Sequence, residues 1–215
     1  MEPIKRGFKE CDREFLEETF GIIQIRHIPL LAEWQKNKDN YAVNEFEYYL
    51  LNNIQEVLID RVDDWNEQEL IENFIGPLFA LINYNTLEYG LFSERFLKAV
   101  IGDYELSGNP DAIIAKGRRS PKIPYFCFHE YKKEQENKGD PVGQCLAAML
   151  VAQELNNNMR PIYGITVKGE KWQFIVLHGK EYAISNSYIS TDEELFEIVK
   201  LLKHLKTIIE EYVKQ

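Results

Sequence analysis

The residues Tyr125-Phe-Cys-Phe-His-Glu-Tyr-Lys132 decide the fold of this chain. The stretch is apolar on both faces until its end, which is typical of a central strand covered on both sides. Because side chains alternate along a strand, Glu130 and Lys132 share one face with Phe128. Burying a carboxylate and an ammonium group costs desolvation free energy unless they have partners. The stretch therefore predicts a covered strand over about 124–132 that ends in a polar site.

A second carboxylate lies at the start of the preceding strand, which is predicted over 110–116. Pro110-Asp111 follows the turn residues Gly108-Asn109. If the two strands form a hairpin, Asp111 and Glu130 come together at one end of the sheet. Carboxylate oxygens are ligands that Mg²⁺ and Mn²⁺ prefer, and a neighbouring lysine can orient a water or stabilise a phosphate. We therefore expect Asp111 and Glu130 to hold Mg²⁺ or Mn²⁺, with Lys132 acting beside them.

The remaining segments predict a single α/β domain around this hairpin. Hydrophobic periodicity and capping residues predict helices over about 10–26, 30–36, 43–60, 67–84, 140–156 and 192–213. Alternation and turn residues predict strands over about 94–105, 110–116, 124–132, 162–167, 172–177 and 182–185. Pro77 lies inside the fourth helix and is expected to kink it. We expect one domain over 1–215, with a helical extension over 1–62, a core over 63–190 and a C-terminal helix over 191–215.

The composition fits a globular protein and limits its environment. The chain has 215 residues, of which 45% are apolar and 28% charged, enough for a hydrophobic core. It contains no run of about 18 apolar residues, so we expect no membrane-spanning helix. Cys11, Cys127 and Cys145 lack metal-binding or redox spacing, and the charged stretch 1–10 lacks the apolar segment of a signal peptide. These features predict a cytoplasmic protein.

The formal net charge of −10 argues against a protein that coats nucleic acid with its whole surface. Positive charge is nevertheless gathered between Pro110 and Asp140, where seven Lys or Arg residues outnumber five Asp or Glu residues. Four of these cations lie between two predicted strands, where they form either a solvated hairpin tip or a phosphate clamp. They are Lys116, Arg118, Arg119 and Lys122.

The hairpin residues resemble the motif of the PD-(D/E)XK nuclease superfamily. Pro110-Asp111 corresponds to the "PD" of the motif, and Glu130-Tyr131-Lys132 corresponds to its "ExK". The resemblance extends to the nuclease domain of type I restriction enzyme motor subunits and to stand-alone bacterial relatives. There a helix of the form Glu-x₅₋₈-Ile-x-Pro-Leu precedes the hairpin, and Asn66–Phe79 is similar to it.

Two further segments on the C-terminal side carry the same resemblance. Gln144 matches a glutamine in the helix that follows the ExK strand, and Tyr163–Trp172 matches the pattern Tyr-Gly-Ile-Thr-x-x-Gly-x-x-Trp. The resemblance covers residues 66 to 178. It implies a restriction-endonuclease-like fold, which is a mixed four-stranded sheet in αβββαβ order with the N-terminal helices added to it.

The resemblance also implies a role for each matching residue. Asp111 and Glu130 would be metal ligands, and Lys132 would position or activate the attacking water. Gln144 would line the site or touch the substrate backbone, although a solvent-facing residue in the first turn of a helix is the structural alternative. Glu67 would be an additional acidic residue from the first core helix.

Some of these residues also have competing explanations. Glu69 and Glu72 lie close enough to Glu67 to take its role, and an acidic residue near a helix N-terminus is also simply favourable. A turn-capping Asp111 and an ion pair at the end of a strand are the corresponding structural alternatives for the other residues. His129 lies on the face opposite Glu130 and is expected to be structural.

Two functions follow from these observations. The first is a metal-dependent nuclease that hydrolyses phosphodiester bonds of nucleic acid, with DNA as the expected substrate. The second is a catalytically idle nuclease fold whose acidic N-terminal helices bind a protein partner or a second copy in a homodimer. The intact Asp111, Glu130 and Lys132 favour the first function, and the negative charge outside residues 110–140 favours the second.

Overall fold

Two β-sheets form the fold, and the larger one carries helices on both faces. The computed structural model describes residues 2–136 and 139–214. The helices are α1 (Arg13–Phe20), α2 (Pro29–Asn37), α3 (Glu45–Arg61), α4 (Glu67–Leu70), α5 (Gly76–Ile82), α6 (Pro141–Asn156) and α7 (Glu194–Lys214). The strands are β1 (Ile4–Gly7), β2 (Ile23–Gln24), β3 (Tyr89–Ser93), β4 (Leu97–Ile101), β5 (Tyr104–Gly108), β6 (Ala112–Lys116), β7 (Lys122–Lys132), β8 (Ile162–Lys168), β9 (Lys171–His178), β10 (Glu181–Ile184) and β11 (Tyr188–Ile189).

The larger sheet has the strand order β2-β10-β9-β8-β7-β6-β3, with β11 paired to β9. It is mixed, because β7 and β8 run parallel and are joined by α6, whereas β3, β6 and β7 are antiparallel neighbours. Apart from the β4–β5 hairpin, the chain from α4 to β8 follows the order αβββαβ. The predicted α/β fold with a restriction-endonuclease-like core is confirmed.

Strand β7 is the covered central strand that the sequence predicts. Cys127 and Phe128 are fully buried on opposite faces, one under the core that includes α5 and α7, the other under α6. Gly164 of the neighbouring strand β8 has no room for a side chain, because a Cβ there would lie 2.7 Å from Met149 Sδ. This close approach lets α6 pack directly against the strands that end at the candidate site.

The predicted strand over 94–105 is wrong. The core strand is β3, which ends at Ser93, and the next residue, Glu94, has a left-handed backbone (φ 50°) that breaks the extended chain. Strands β4 and β5 then form a separate hairpin through the two-residue turn at Gly102 (φ 59°), and β1 joins that small sheet in parallel. The alternating pattern of this segment therefore belongs to two strands in another sheet.

The predicted helix over 10–26 is also shorter than expected. Asp12 caps the N-terminus of α1 by accepting a hydrogen bond from the Phe15 N–H, and Gly21 (φ 63°) ends the helix in the left-handed conformation. The flanking residues form β1, in the small sheet, and β2, which pairs with β10 in the large sheet. The predicted helical extension thus also supplies one strand to each sheet.

The helix predicted over 67–84 contains a widened turn where a kink is expected. Residues Ile71–Ile75 are π-helical, and the Gly76 N–H donates to the Ile71 carbonyl five residues earlier. In a regular α-helix the Pro77 ring would clash with the carbonyl four residues before it. The π-helical turn relieves that clash.

Two further sequence expectations concern the environment of the protein. The structure describes no helix that is both long enough and apolar enough to span a lipid bilayer. All three cysteines are buried and unpaired.

Candidate metal and catalytic site

Three predicted site residues lie together at one end of the β6–β7 hairpin. Ala112 pairs with His129, which places Asp111 opposite Glu130. Asp111 Oδ2 accepts a hydrogen bond of 2.5 Å from the Tyr131 N–H, and Lys132 Nζ donates to Glu130 Oε1 at 2.7 Å. Strand parity puts all three side chains on the face covered by α6.

Burial makes ionisation of both carboxyl groups unfavourable. Glu130 is only 5% exposed, and burial together with the Asp111 charge raises its pKa to about 7, against the opposing effect of Lys132. Burial also raises the pKa of Asp111 to about 6, although the Tyr131 N–H and Lys132 act in the opposite direction. The protein itself therefore supplies too little positive charge to keep both buried carboxyl groups fully ionised at neutral pH.

Lys132 is held as an ammonium group by three neighbours. Its Nζ donates to the Tyr131 carbonyl at 2.7 Å as well as to Glu130, and it lies 3.5 Å from Glu67 Oε2. Burial lowers the pKa of Lys132, but the charges of Glu130, Asp111 and Glu67 outweigh that effect, so the net shift is upward. The group is thus a hydrogen-bond donor and a positive charge, and not a base.

Glu67 is the acidic residue of the first core helix that reaches this cluster. Glu69 is occupied in a capping box, where it accepts from the Asn66 N–H at 2.8 Å, and Glu72 accepts from Gln68 at 2.8 Å. Only Glu67 among the three forms an ion pair with Lys132 in the part of the chain that the structure describes. Its position at the start of α4 directs it toward the end of β7.

Gln144 lies in the first turn of α6 and is 5% exposed, so the solvent-facing alternative is wrong. Its backbone N–H donates to the Asp140 carbonyl at 2.9 Å. Within residues 2–136 and 139–214 its side chain makes no hydrogen bond to Asp111, Glu130 or Lys132. The structure thus buries Gln144 in the first turn of α6, and the described residues show no hydrogen bond between its side chain and the three residues.

The donor set of the site fits a hard divalent cation. Asp111 and Glu130 offer oxygen ligands, and a bound cation would favour the charged forms that burial disfavours. No group of three His, Cys, Asp or Glu side chains that could hold a metal occurs among the described residues. The remaining ligands would therefore be backbone carbonyls, waters or substrate oxygens, as is usual for Mg²⁺.

The basic residues of the hairpin tip do not belong to this site. Lys116 pairs with Lys122 where β6 turns into β7, whereas Asp111 and Glu130 lie at the other end of the hairpin. Five residues of extended strand separate Asp111 from Lys116, which is about 16 Å. The four basic residues at the tip are therefore not neighbours of Asp111 and Glu130. Lys138 of the same basic stretch lies outside the described residues.

His129 lies on the opposite face from Glu130, as predicted from strand parity. It is fully buried, its Nδ1 is 2.7 Å from the Tyr131 hydroxyl oxygen, and its ring packs 4.9 Å from that of Phe79. Burial lowers the pKa of His129 to about 3. The imidazole is thus a neutral core group and not part of the candidate site.

The lowered pKa of His129 predicts acid sensitivity. The folded protein keeps the ring neutral while the unfolded chain binds a proton below about pH 6.5, so stability is lost as the pH falls from about 6.5 toward 3. The loss should approach about 1.4 kcal/mol per pH unit. Urea unfolding of His129→Phe at several pH values should show a shallower decline than the wild type. The exposed His27→Gln variant should keep the wild-type slope, and an equal slope in all three proteins would contradict the assignment.

Sequence patterns missed the surroundings of the three residues. A cleft of about 490 Å³ borders Asp111, between the π-helical turn and β3, with Phe79 and Leu91 among its walls. On the other side, Thr166 of β8 pairs with Glu130. Thr166 lies inside the Tyr163–Trp172 segment, but only the parallel pairing of β7 with β8, which is not local in sequence, shows that it neighbours the site.

Comparisons with known proteins find weak structural likeness to solved structures and no match in sequence. No protein-family model matches the chain, and no curated protein matches it in sequence. Among solved structures, the cryoEM structure of a DrdV–DNA complex is similar over 74% of this chain, with a TM-score of 0.43 and 17% identity. The matched part is 14% of the length of that protein.

Proposed function

We propose that the protein is a metal-dependent nuclease that hydrolyses phosphodiester bonds of nucleic acid, with DNA as the expected substrate. The observation that carries the proposal is the convergence of two buried carboxyl groups and one ammonium group. Asp111 accepts a hydrogen bond from the Tyr131 N–H of β7, and on either side of Tyr131, Lys132 donates a hydrogen bond to Glu130. Their pattern resembles the PD-(D/E)XK motif, and the αβββαβ core supports the same proposal.

In this proposal Asp111 and Glu130 hold Mg²⁺ or Mn²⁺, which supplies positive charge for the phosphate when it is bound. Lys132 donates hydrogen bonds from its ammonium group to the attacking water or to a phosphate oxygen. Because its pKa is raised, Lys132 acts by orientation and charge rather than by accepting a proton. Glu67 positions Lys132 through their ion pair.

The test of activity uses the full chain with several substrates. Single-stranded DNA, double-stranded DNA and RNA are incubated with the protein and Mg²⁺ or Mn²⁺, with EDTA as the control. We expect cleavage of DNA in the presence of metal and none with EDTA. Comparing circular with linear DNA separates endonuclease from exonuclease action. No cleavage of any substrate with either metal would reject the proposal.

The cellular location belongs to the same proposal. Cys11, Cys127 and Cys145 are all buried and unpaired, which suits a reducing environment. We propose the cytoplasm, where a nuclease of this kind would meet nucleic acid. Fractionation of cells that express the protein should recover it in the cytoplasmic fraction, and recovery from the medium or the periplasm would contradict this location.

The alternative function, a protein-interaction module, is favoured by one observation on α3. Phe46, Tyr49 and Val57 lie on one side of this helix and are 70%, 70% and 47% exposed. Exposed apolar groups clustered in this way are common at protein interfaces. We propose a second copy of the chain as the occupant of this face.

This alternative predicts a dimer that depends on α3. Sedimentation of the wild type should show a dimer, and Phe46→Ser with Tyr49→Ser should shift it to a monomer. Ile59→Ser removes an exposed apolar residue from another side of α3 and should leave the dimer intact. A wild type that stays monomeric at all concentrations would exclude the homodimer.

A further inference from the structure

A second cavity lies on the α6 face of the large sheet, one strand away from Glu130. Its volume is about 470 Å³, and it is bounded by the N-terminus of α6 and by side chains from α1, β8 and β9. We call it the α6 cavity; its polar wall includes Arg13, Asp140, Thr166, Lys168, Lys171 and Gln173. Neighbouring strands are about 5 Å apart, so the cavity adjoins the candidate site.

The charge of the α6 cavity contrasts with that of the chain. Three cations and one carboxylate line it, although the whole chain has a net charge of −10. Arg13 Nε lies 2.9 Å from Asp140 Oδ2, and Lys171 Nζ lies 3.3 Å from Glu134 Oε1. Lys168 has no ion-pair partner in the part of the chain that the structure describes. The wall therefore favours an anion.

The N-terminus of α6 adds backbone donors to this wall. Asp140 occupies the N-cap position, but its carboxylate binds the Arg13 backbone N–H and guanidinium and does not cap the helix. Pro141 has no N–H, so the first backbone N–H of this sixteen-residue helix belongs to Val142, which also lines the cavity. Within residues 2–136 and 139–214 this N–H has no hydrogen-bond acceptor. The exposed donors and the dipole of a helix N-terminus favour negative charge.

Thr166 is an independent sign of a ligand. The residue is 4% exposed and lines the α6 cavity. Its hydroxyl has no hydrogen-bond partner among residues 2–136 and 139–214. The hydroxyl is therefore available to donate a hydrogen bond, and an anion in the cavity would supply the acceptor. Thr166 also pairs with Glu130 across β7 and β8, so such an anion would lie beside the candidate catalytic residues.

We propose that the α6 cavity binds a phosphate group of the nucleic acid substrate, next to the phosphate at the candidate site. The inference rests on the proposed nuclease function and adds a second phosphate contact to it. Lys168 and Thr166 are the residues that recognise the phosphate, by charge and by hydrogen bond. The same chemistry accommodates an internal backbone phosphate or a terminal 5′-phosphate, and the experiment below separates these two sources.

Binding is measured in EDTA and in the Asp111→Asn background, so that no cleavage occurs. The probes are single-stranded DNA oligonucleotides labelled at the 3′ end, with either a 5′-hydroxyl or a 5′-phosphate, and inorganic phosphate serves as the competitor. Lys168→Ala and Thr166→Val should each weaken binding about five- to ten-fold. Lys168→Ala should also lower the slope of the logarithm of affinity against the logarithm of salt concentration, by about the amount that one phosphate contact contributes. Thr166→Ser keeps the hydroxyl and should bind as the background protein does.

The matched charge control is Lys36→Ala, which removes an exposed cation from α2 and should leave affinity unchanged. Equal weakening for both oligonucleotides supports an internal phosphate, and weakening confined to the 5′-phosphate probe supports a terminal one. If Lys168→Ala and Thr166→Val bind both probes as tightly as Lys36→Ala does, the proposal is overturned. Binding without any cleavage by the wild type would reject the nuclease function alone, because this assay requires no catalysis.

Discussion

Replacing Lys132 with alanine should lower the rate of nucleic acid cleavage by about two to three orders of magnitude, the usual effect of removing one group that stabilises transition-state charge. The ammonium group lies 2.7 Å from Glu130 Oε1, and the Lys132 side chain is only 12% exposed. In the alanine variant, therefore, no other group among the described residues supplies the missing positive charge at this position. Since the group acts mainly on the transition state, kcat should fall far more than KM changes. Single-turnover cleavage measured with saturating protein gives the rate directly.

Two further variants make the Lys132 prediction specific. Lys132→Arg keeps the charge but replaces a compact ammonium group with a broad planar one, so it should rescue the rate only poorly. Lys133→Ala removes the next residue, which is exposed and lies beyond the end of β7, and should cleave as the wild type does. Wild-type rates in Lys132→Ala would show that the motif assigns the wrong lysine.

Replacing Asp111 with asparagine should stabilise the protein without metal and abolish its stabilisation by Mn²⁺. The pKa of Asp111 is raised from 3.8 to about 6, so the folded protein binds the proton more tightly than the unfolded chain. The ionised group therefore destabilises the folded state, fully above pH 6 and not at all below pH 3.8. Asparagine removes this penalty, and the free energy of unfolding at pH 8 should rise by about 1–3 kcal/mol.

Divalent metal should reverse the order of the two proteins. Bound Mn²⁺ stabilises the wild type in proportion to the logarithm of its concentration above Kd, whereas Asp111→Asn lacks one hard oxygen ligand. Denaturant unfolding at pH 4 and pH 8, with and without Mn²⁺, measures both effects. Asp63→Asn, an exposed carboxylate, is the control and should match the wild type throughout. Equal Mn²⁺ stabilisation of wild type and Asp111→Asn would remove Asp111 from the metal site.

The proximity of Asp111, Glu130 and Lys132 can be predicted from the sequence, because it depends on strand alternation and on a turn, which each involve only a few neighbouring residues. The alternation of β7 puts Glu130 and Lys132 on one face, and the turn at Pro110 starts β6 so that Asp111 lies opposite Glu130. The same rules fail for β3, β4 and β5, because left-handed residues such as Glu94 look like ordinary positions in an extended run.

The surroundings of the site depend on contacts between distant segments. Thr166 neighbours Glu130 only because β8 runs parallel to β7 after a long connection through α6. The basic hairpin tip is close to Asp111 in sequence, yet the length of β6 places it at the opposite end of the hairpin. Pairing of distant strands and the direction of each strand are properties of the tertiary fold, which spacing along the chain does not contain.

The most direct test of the central claim is one cleavage measurement on wild type, Asp111→Asn and Lys132→Ala purified side by side. A labelled DNA substrate is incubated with each protein in Mn²⁺, and a parallel wild-type sample contains EDTA. The proposed centre predicts metal-dependent cleavage by the wild type and losses of at least about 100-fold in both variants. Cleavage by all three proteins at one rate, or by the wild type in EDTA, would contradict it.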